Sequence, residues 1–350
     1  MADSKRAHSP ELNGDAGAIV KKQRTDEGSV VVSAKQPKEG PQRTSGLLAP
    51  IMLLTGHAGE VFTCKFSPSG SVVASGSHDK HIFLWRTYGE CENYMMLQGH
   101  KNAVLELHWT SDGERIVSAS PDKSVRAWDA ATGEQVKKMS EHDNFVNSCC
   151  PLKRGPPLLV SGSDDGTAKL WDMRSKRSVH TLGEQYQVLA VAFGEEGDQV
   201  YTGGIENSLK VWDLRKVEVS MTLKGHTDTV TGLSLSPDGT HLLSNAMDNT
   251  LRAWDMRPYA PANRCVKVFT GHSHSFEKNP LKCAWSPDGT KVTCGSADHM
   301  VNIWDFATRR LLYKLPGHKG SVNEAVFHPT EPIVASASSD KQIYLGELVL

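Results

Sequence analysis

Tryptophan recurs through this chain at Trp85, Trp128, Trp171, Trp212, Trp254 and Trp304, each time closing a stretch that reads as a β-hairpin. The clearest copy is 158–174, LLVSGSDDGTAKLWDMR. A short apolar run ends in Ser161-Gly162-Ser163, a turn carries Asp164-Asp165-Gly166, and a second strand-like run closes on Trp171-Asp172. Branched and apolar residues on both arms, with Asp and Gly between them, are the chemistry of a tight hairpin. Successive tryptophans are 43, 43, 41, 42 and 50 residues apart, and a further step of 42 lands on Gly346 in DKQIYLGE, which aligns with DKHIFLWR around Trp85. The chain therefore reads as seven copies of one unit, the last without its tryptophan. A unit of that size cannot bury a hydrophobic face alone, so the copies must stack, and this decides the fold before any other feature is weighed.

Each unit has room for four short strands, and no stretch of helical period between them is long enough for a crossover helix, which predicts an all-β architecture. Residues 1–46 differ in kind. They are rich in Lys, Glu, Ser, Gly, Gln and Pro and contain no aromatic residue, so they cannot bury enough apolar surface to offset chain entropy; a disordered tail is expected before a folded region over 47–350. The tail carries eight Lys/Arg against six Asp/Glu, a net +2, which leaves 31 against 34, or −3, for the remainder. A slightly acidic folded region is poorly suited to wrapping nucleic acid by phosphate neutralisation alone, although it leaves room for a local basic patch. The seven cysteines are odd in number and form no CxxC pair, which argues against disulfides and a structural zinc and fits a reducing compartment. The longest apolar run, LLAPIMLL at 47–54, is too short to span a bilayer, so no membrane association is expected.

Other positions recur in register. Counting back 28 residues from the tryptophan position gives the His of a GH pair at His57, His100, His226 and, for the Gly346 unit, His318; His142 sits 29 back in an EH pair and His272 sits 32 back. Six back lie Asp79, Asp122, Asp165, Asp248, Asp298 and Asp340, and eight back lie Ser77, Ser120, Ser163, Ser296 and Ser338. The period, the GH pairs and the WD pairs resemble those of the WD-repeat (WD40) family, whose four-stranded blades close into a propeller. The resemblance covers everything after the tail and implies a seven-bladed WD40 β-propeller. By the family's pattern the Trp indole donates to the Ser hydroxyl, the Ser to His, and the His to the turn Asp, so that each set is a structural tetrad. A Ser-His-Asp hydrolase needs one such constellation, whereas here it is repeated round a ring.

Three units depart from the pattern. The fourth has Glu184 at the His position, Gly204 at the Ser position and Glu206 at the turn, leaving Trp212 alone; the fifth has Ala246 in place of Ser; the seventh lacks the Trp. These units are expected to be less rigid. The seventh also has only three strands of its own, and APIMLL at 49–54 has no partner, so this segment is expected as the outer strand of the last blade, joining the two ends of the ring. The sixth unit holds the clear insertion, SHSFEKNPLKCAW, after a lengthened connection RPYAPANRC. Longer loops on a regular scaffold are where partner contacts tend to sit.

No Walker loop, HExxH, GxSxG or paired carboxylates stand outside the repeat register, and His78, His81, His108, His180, His241, His274, His299 and His328 have no metal-ligand spacing. A protein of recognition is expected: no enzyme, cofactor, metal or small-molecule substrate. The family resemblance implies a binding mouth on the face ringed by the GH loops and Asp turns, lined here by Phe62, Leu105, Phe145 and Met247, with Phe276 in the inserted loop. Whole segments, among them YQVLAVAF, FEKNPLKCAWSPDG and ASASSDKQIYLGE, resemble the spliceosomal branch of the family, the WD-repeat subunits of the U5 small nuclear ribonucleoprotein. That implies a nuclear, non-catalytic scaffold in pre-mRNA splicing, docked on the large U5 proteins inside an RNA–protein particle. In the tail, Lys5-Arg6 and Lys21-Lys22-Gln23-Arg24 are spaced like a bipartite nuclear import signal, a pattern an ordinary solvated tail also carries. A competing reading comes from Trp171-Asp172-Met173-Arg174, Trp212-Asp213-Leu214-Arg215 and Trp254-Asp255-Met256-Arg257. These WDxR motifs are similar to those by which some WD-repeat proteins serve cullin-type ubiquitin ligases as substrate receptors. Direct RNA binding would need a basic stripe with aromatics, which the sequence alone does not assemble.

Overall fold

The computed structural model describes residues 43–261, 263–275 and 279–348. Among them, 28 strands form seven four-stranded antiparallel sheets, and there is no helix. The sheets are the seven expected repeats, here called blades 1 to 7, with their strands in 61–97, 106–139, 146–183, 188–224, 230–269, 283–315 and 322–347. Within blades 1 to 6 the first strand lies innermost and its neighbours pair outward in chain order, and blade 7 follows the same order over its own three strands. The inner strands of successive blades touch all the way round, blade 7 against blade 1 included, so the ring is closed.

Closure is made by the segment expected from the sequence. Ile51–Thr55 pairs antiparallel with Gln342–Glu347 as the outer strand of blade 7, in the register Ile51↔Gly346 to Thr55↔Gln342. The strand begins after Pro50, which has no N–H to offer the ladder, although its carbonyl still accepts from Glu347 N at 2.9 Å. The anchoring runs further back than composition suggests. Residues 43–46, counted with the tail on their composition, are bonded to the propeller: the Glu347 carboxylate accepts from Thr44 N (2.6 Å), Ser45 N (3.0 Å) and Arg43 Nε (2.9 Å), and Glu331 accepts from Gly46 N (2.7 Å). Three of these donors are backbone N–H groups and one is a guanidinium, all meeting carboxylates some 300 positions away, which no local pattern records. The import residues Lys5, Arg6, Lys21, Lys22 and Arg24 lie outside the described residues.

The hydrophobic core sits between blades. Ala74, Ile82, Leu84 and Leu97 of blade 1 pack with Val104, Leu107, Ile116 and Trp128 at blade 2, and Leu47 and Leu54 join the equivalent cluster between blades 7 and 1. Each such fully buried side chain is worth roughly 1.5–3 kcal/mol of transfer free energy, so most of the stability lies in blade-to-blade contacts. The contacts are close enough to select residue type: a Cβ at Gly76 would come within 2.7 Å of Val104 Cγ1, and one at Gly162 within 2.6 Å of Val188 Cγ1. Outer strands, by contrast, bury only part of their length, as in Asn93–Leu97 and Gln135–Met139.

Candidate functional site: tetrads, channel and binding face

The repeated polar residues meet in the structure, but through a different serine. In blade 1, His57 Nδ1–H donates to Asp79 Oδ2 (2.8 Å), and both His57 Nε2 and Trp85 Nε1 lie 2.8 Å from the hydroxyl of Ser75. The same bonds join His100, Asp122, Ser118 and Trp128, then His142, Asp165, Ser161 and Trp171, and His226, Asp248, Ser244 and Trp254. In blade 7, His318 bonds Asp340 and Ser336 without a tryptophan, and the Tyr344 ring packs edge-on against the His at 4.6 Å. The hydroxyl therefore lies ten residues before the tryptophan, not eight. Trp85 is paired across the ladder with Val73, so Ser75 is one same-face step away, whereas Ser77 is two steps off, beyond the indole's reach. Ser77, Ser120, Ser163 and Ser338 instead use their hydroxyls to accept the backbone N–H of the turn Asp two residues on, at 3.2 Å.

The correction restores blade 5. Ala246 is no defect there, because Ser244 completes the tetrad. Blade 4 is not an empty site either. Trp212 Nε1 donates to Thr202 Oγ1 (2.9 Å), Thr202 donates to Glu184, and Lys210 Nζ bridges Glu184 and Glu206. A carboxylate held by a lysine thus takes the place of the imidazole, and the expected concerted loss is a concerted replacement. Blade 6 is where the tetrad is lost. Cys294 stands at the hydroxyl position, Trp304 Nε1 donates to the Thr270 carbonyl (3.1 Å), His272 Nε2 bonds Asn245 Oδ1 of blade 5 (2.9 Å), and Asp298 pairs with Lys314 (2.8 Å). Ser296 accepts from Ser273 N (3.1 Å). The His272 ring still packs on Trp304 (5.8 Å), but its Nδ1 has no partner among the described residues and Asp298 is taken by Lys314, so the bonds that link the four members elsewhere are not made.

The electrostatics are those of structural locks. Burial alone would raise the Asp79 carboxyl, but the hydrogen bond from His57 and the N–H groups of His81 and Ala58 bring it down to about 2. Burial lowers His100, His142 and His318 from the usual imidazole value despite their Asp partners, which keeps them neutral. Ser75, Ser118 and Ser161 are fully buried, so their hydroxyls are closed to a substrate. Among the described residues, no group of three or more His, Cys, Asp and Glu is arranged to hold a metal.

A second polar system crosses the ring's axis. Lys282 Nζ of blade 6 lies 3.2 Å from Glu106 Oε2 of blade 2, and Glu106 also meets His108 Nε2 at 3.3 Å. Beside it, Glu324 of blade 7 accepts from Thr63 Oγ1 (2.7 Å), Cys64 N (2.9 Å) and Lys65 Nζ of blade 1. Burial would raise the Glu106 carboxyl, yet Lys282, His108 and Lys65 hold it well below the ordinary range. These side chains plug the channel. Towards the face opposite the His and Asp loops the channel opens as a cavity of about 470 Å³, lined by Phe66, Trp109, Trp285 and Phe327 among others.

The expected mouth residues flank the loops and turns of the tetrad face. Phe62 is half-buried with its ring edge towards His78 (6.3 Å), Leu105 and Met247 are half-buried, and Phe145 is 45% exposed. Phe276 lies outside the described residues. Two more exposed apolar side chains stand on this face, Tyr186 (49%) and Ile205 (42%), both on blade 4 beside Phe145 of blade 3. Ile205 occupies the position before the turn acid, as Met247 does, and could have been found by allowing Glu206 to stand for Asp.

The seven-bladed ring and its His-Asp-Ser-Trp locks define a WD-repeat propeller. The family model described as "WD domain, G-beta repeat" matches residues 48–86, 91–129, 133–172, 176–213, 217–255, 263–305 and 309–345, and the chain belongs to this family. It is 61% identical over 309 residues to the human "U5 small nuclear ribonucleoprotein 40 kDa protein", covering 88% of this chain and 87% of that one. A Dictyostelium discoideum protein of the same name is 50% identical over 99% of both chains. The fission yeast "Pre-mRNA-splicing factor cwf17" is 44% identical over 95% of this chain and 96% of its own length.

Proposed function

We propose that this protein is a non-catalytic scaffold of pre-mRNA splicing, a propeller subunit of the U5 small nuclear ribonucleoprotein acting in the nucleus. The observation that carries the reading is similarity running through the whole propeller to relatives named for that particle and for splicing. Partners dock on the tetrad face, with Phe145, Tyr186 and Ile205 of blades 3 and 4 as exposed anchors and Phe62, Leu105 and Met247 half-buried at blades 1, 2 and 5. Apolar and aromatic side chains on a rigid rim are the usual hot spots of such docking. The partners are spliceosomal proteins, the large U5 proteins among them. Catalysis has no place in this reading, because the repeated Ser-His-Asp sets are sealed by packing.

The ubiquitin-ligase reading is less favoured. In two of the three WDxR motifs the guanidinium is turned back on its own motif: Arg174 forks onto Asp172 (Nη2 to Oδ2 2.8 Å) and Arg257 onto Asp255 (2.5 Å). Affinity purification of the tagged full chain from nuclear extract tests the proposal. Splicing proteins and U5 small nuclear RNA should be recovered together, and recovery of cullin adaptors without either would overturn it.

A further inference from the structure

The turn after each tetrad acid contains one residue forced into left-handed backbone. In blades 3, 4 and 5 this residue is Gly166 (φ 74°), Asn207 (61°) and Asn249 (59°), the types that tolerate the conformation, and in blade 6 it is His299 (66°). In blades 7, 1 and 2 it is a lysine: Lys341 (φ 70°), Lys80 (74°) and Lys123 (67°). Three consecutive blades thus accept backbone strain to place the same charge at the same position.

Two further lysines stand beside them. Lys101 and Lys319 directly follow tetrad histidines, and their N–H groups donate to Asp122 Oδ2 (3.0 Å) and Asp340 Oδ2 (3.0 Å), the carboxylates that Lys123 and Lys341 also follow. All five lysines are exposed. The tetrad carboxylates beneath them are at most 8% exposed and already bonded to histidine. Glu60 is the other acid on these loops.

The remainder of the face has the opposite character. The corresponding loops of blades 3, 4 and 5 contain no Lys or Arg and carry Asp143, Asp164, Glu206 and Asp228. The face's exposed large apolar side chains, Phe145, Tyr186 and Ile205, also fall on blades 3 and 4. A protein partner needs such apolar anchors. A phosphodiester backbone needs only spaced cations, and lysine serves it as a point charge. We infer that the sector of blades 7, 1 and 2 is a single-stranded RNA contact, in which Lys80, Lys101, Lys123, Lys319 and Lys341 neutralise backbone phosphates without reading sequence. The inference does not depend on which particle the protein joins.

The test is fluorescence anisotropy of the full chain with a labelled short oligouridylate across a salt series. Each single-strand phosphate neutralised contributes about −0.7 to the slope of log K against log salt. Substituting Lys80→Asn, Lys123→Asn and Lys341→Asn together should therefore make the slope shallower by about 2. Because asparagine suits left-handed backbone, the melting temperature should hold or rise, so weaker binding is not misfolding. The tail's own cations are common to both proteins, and Lys176→Asn, outside these loops, should leave the slope unchanged. Absence of binding at low salt, an unaltered slope in the triple variant, or displacement by polyglutamate as effective as by unlabelled RNA would each overturn the inference.

Discussion

Lys282 and Glu106 meet across the propeller's axis, Nζ to Oε2 3.2 Å apart, with their side chains 4% and 7% exposed. They belong to blades 6 and 2, which share no sheet, so the pair is a strut between opposite parts of the ring. Breaking a buried pair strands the surviving charge and typically costs about 3–5 kcal/mol, whereas replacing both partners with apolar groups is often near neutral. Lys282→Met alone should lower stability to denaturant by an amount in that range. The double variant Lys282→Met with Glu106→Leu should recover much of it, which equilibrium urea unfolding of the two proteins will read.

The tetrad serine is separable from its neighbour by the same measurement. Ser161→Ala removes the partner of both His142 Nε2 and Trp171 Nε1 and should cost about 1–3 kcal/mol, the penalty for stranding buried polar groups. Ser163→Ala removes only an acceptor for the Asp165 N–H and should cost about 0.5–1.5 kcal/mol, the net worth of a single ordinary hydrogen bond. Equal losses would refute the assignment.

Much of this was legible in the sequence, and the limits have physical causes. Recurrence of Trp, His and Asp defines the ring, the unit count and even the closing strand, because each is a spacing. The serine is ambiguous in the sequence because units such as Ser75-Gly76-Ser77 offer two hydroxyls on one face, and only ladder register decides between them. Blade 5 carries the distinguishing signal: His226, Asp248 and Trp254 are present with Ala246 eight residues before the tryptophan, which leaves Ser244 as the hydroxyl. The axial pair is invisible in a linear reading, since its partners lie 176 positions apart.

Acid should act first through blade 6. Burial lowers His272 and His274 to about 4, against about 6.5 in an unfolded chain. Below pH ~6.5 the unfolded state therefore binds more protons, so stability is full above that value and falls as the pH drops towards 4. His274→Asn should flatten the stability–pH curve in this window by about one proton's worth of slope. An unchanged slope in urea unfolding from pH 7 to pH 4 would contradict the shift.

The closing strand predicts a further loss. Deleting residues 47–55 exposes the Gln342–Glu347 edge and removes Leu54 from the cluster it shares with Val61 and Ile343, so the melting temperature should fall by many degrees, checked by calorimetry. Glu347→Ala should instead release only Arg43–Ser45, seen as faster hydrogen exchange at Thr44 and Ser45 with little change in the melt.

Docking of this propeller into a spliceosomal particle through its tetrad face, as proposed, is read by sedimentation. In nuclear extract the tagged full chain should travel with U5 small nuclear RNA. A variant carrying Phe145→Ser, Tyr186→Ser and Ile205→Ser, with an unchanged melt, should move to the position of the free protein. Wild-type chain sedimenting free of intact U5 particles, or the variant remaining fully bound to them, would rule out docking through this face.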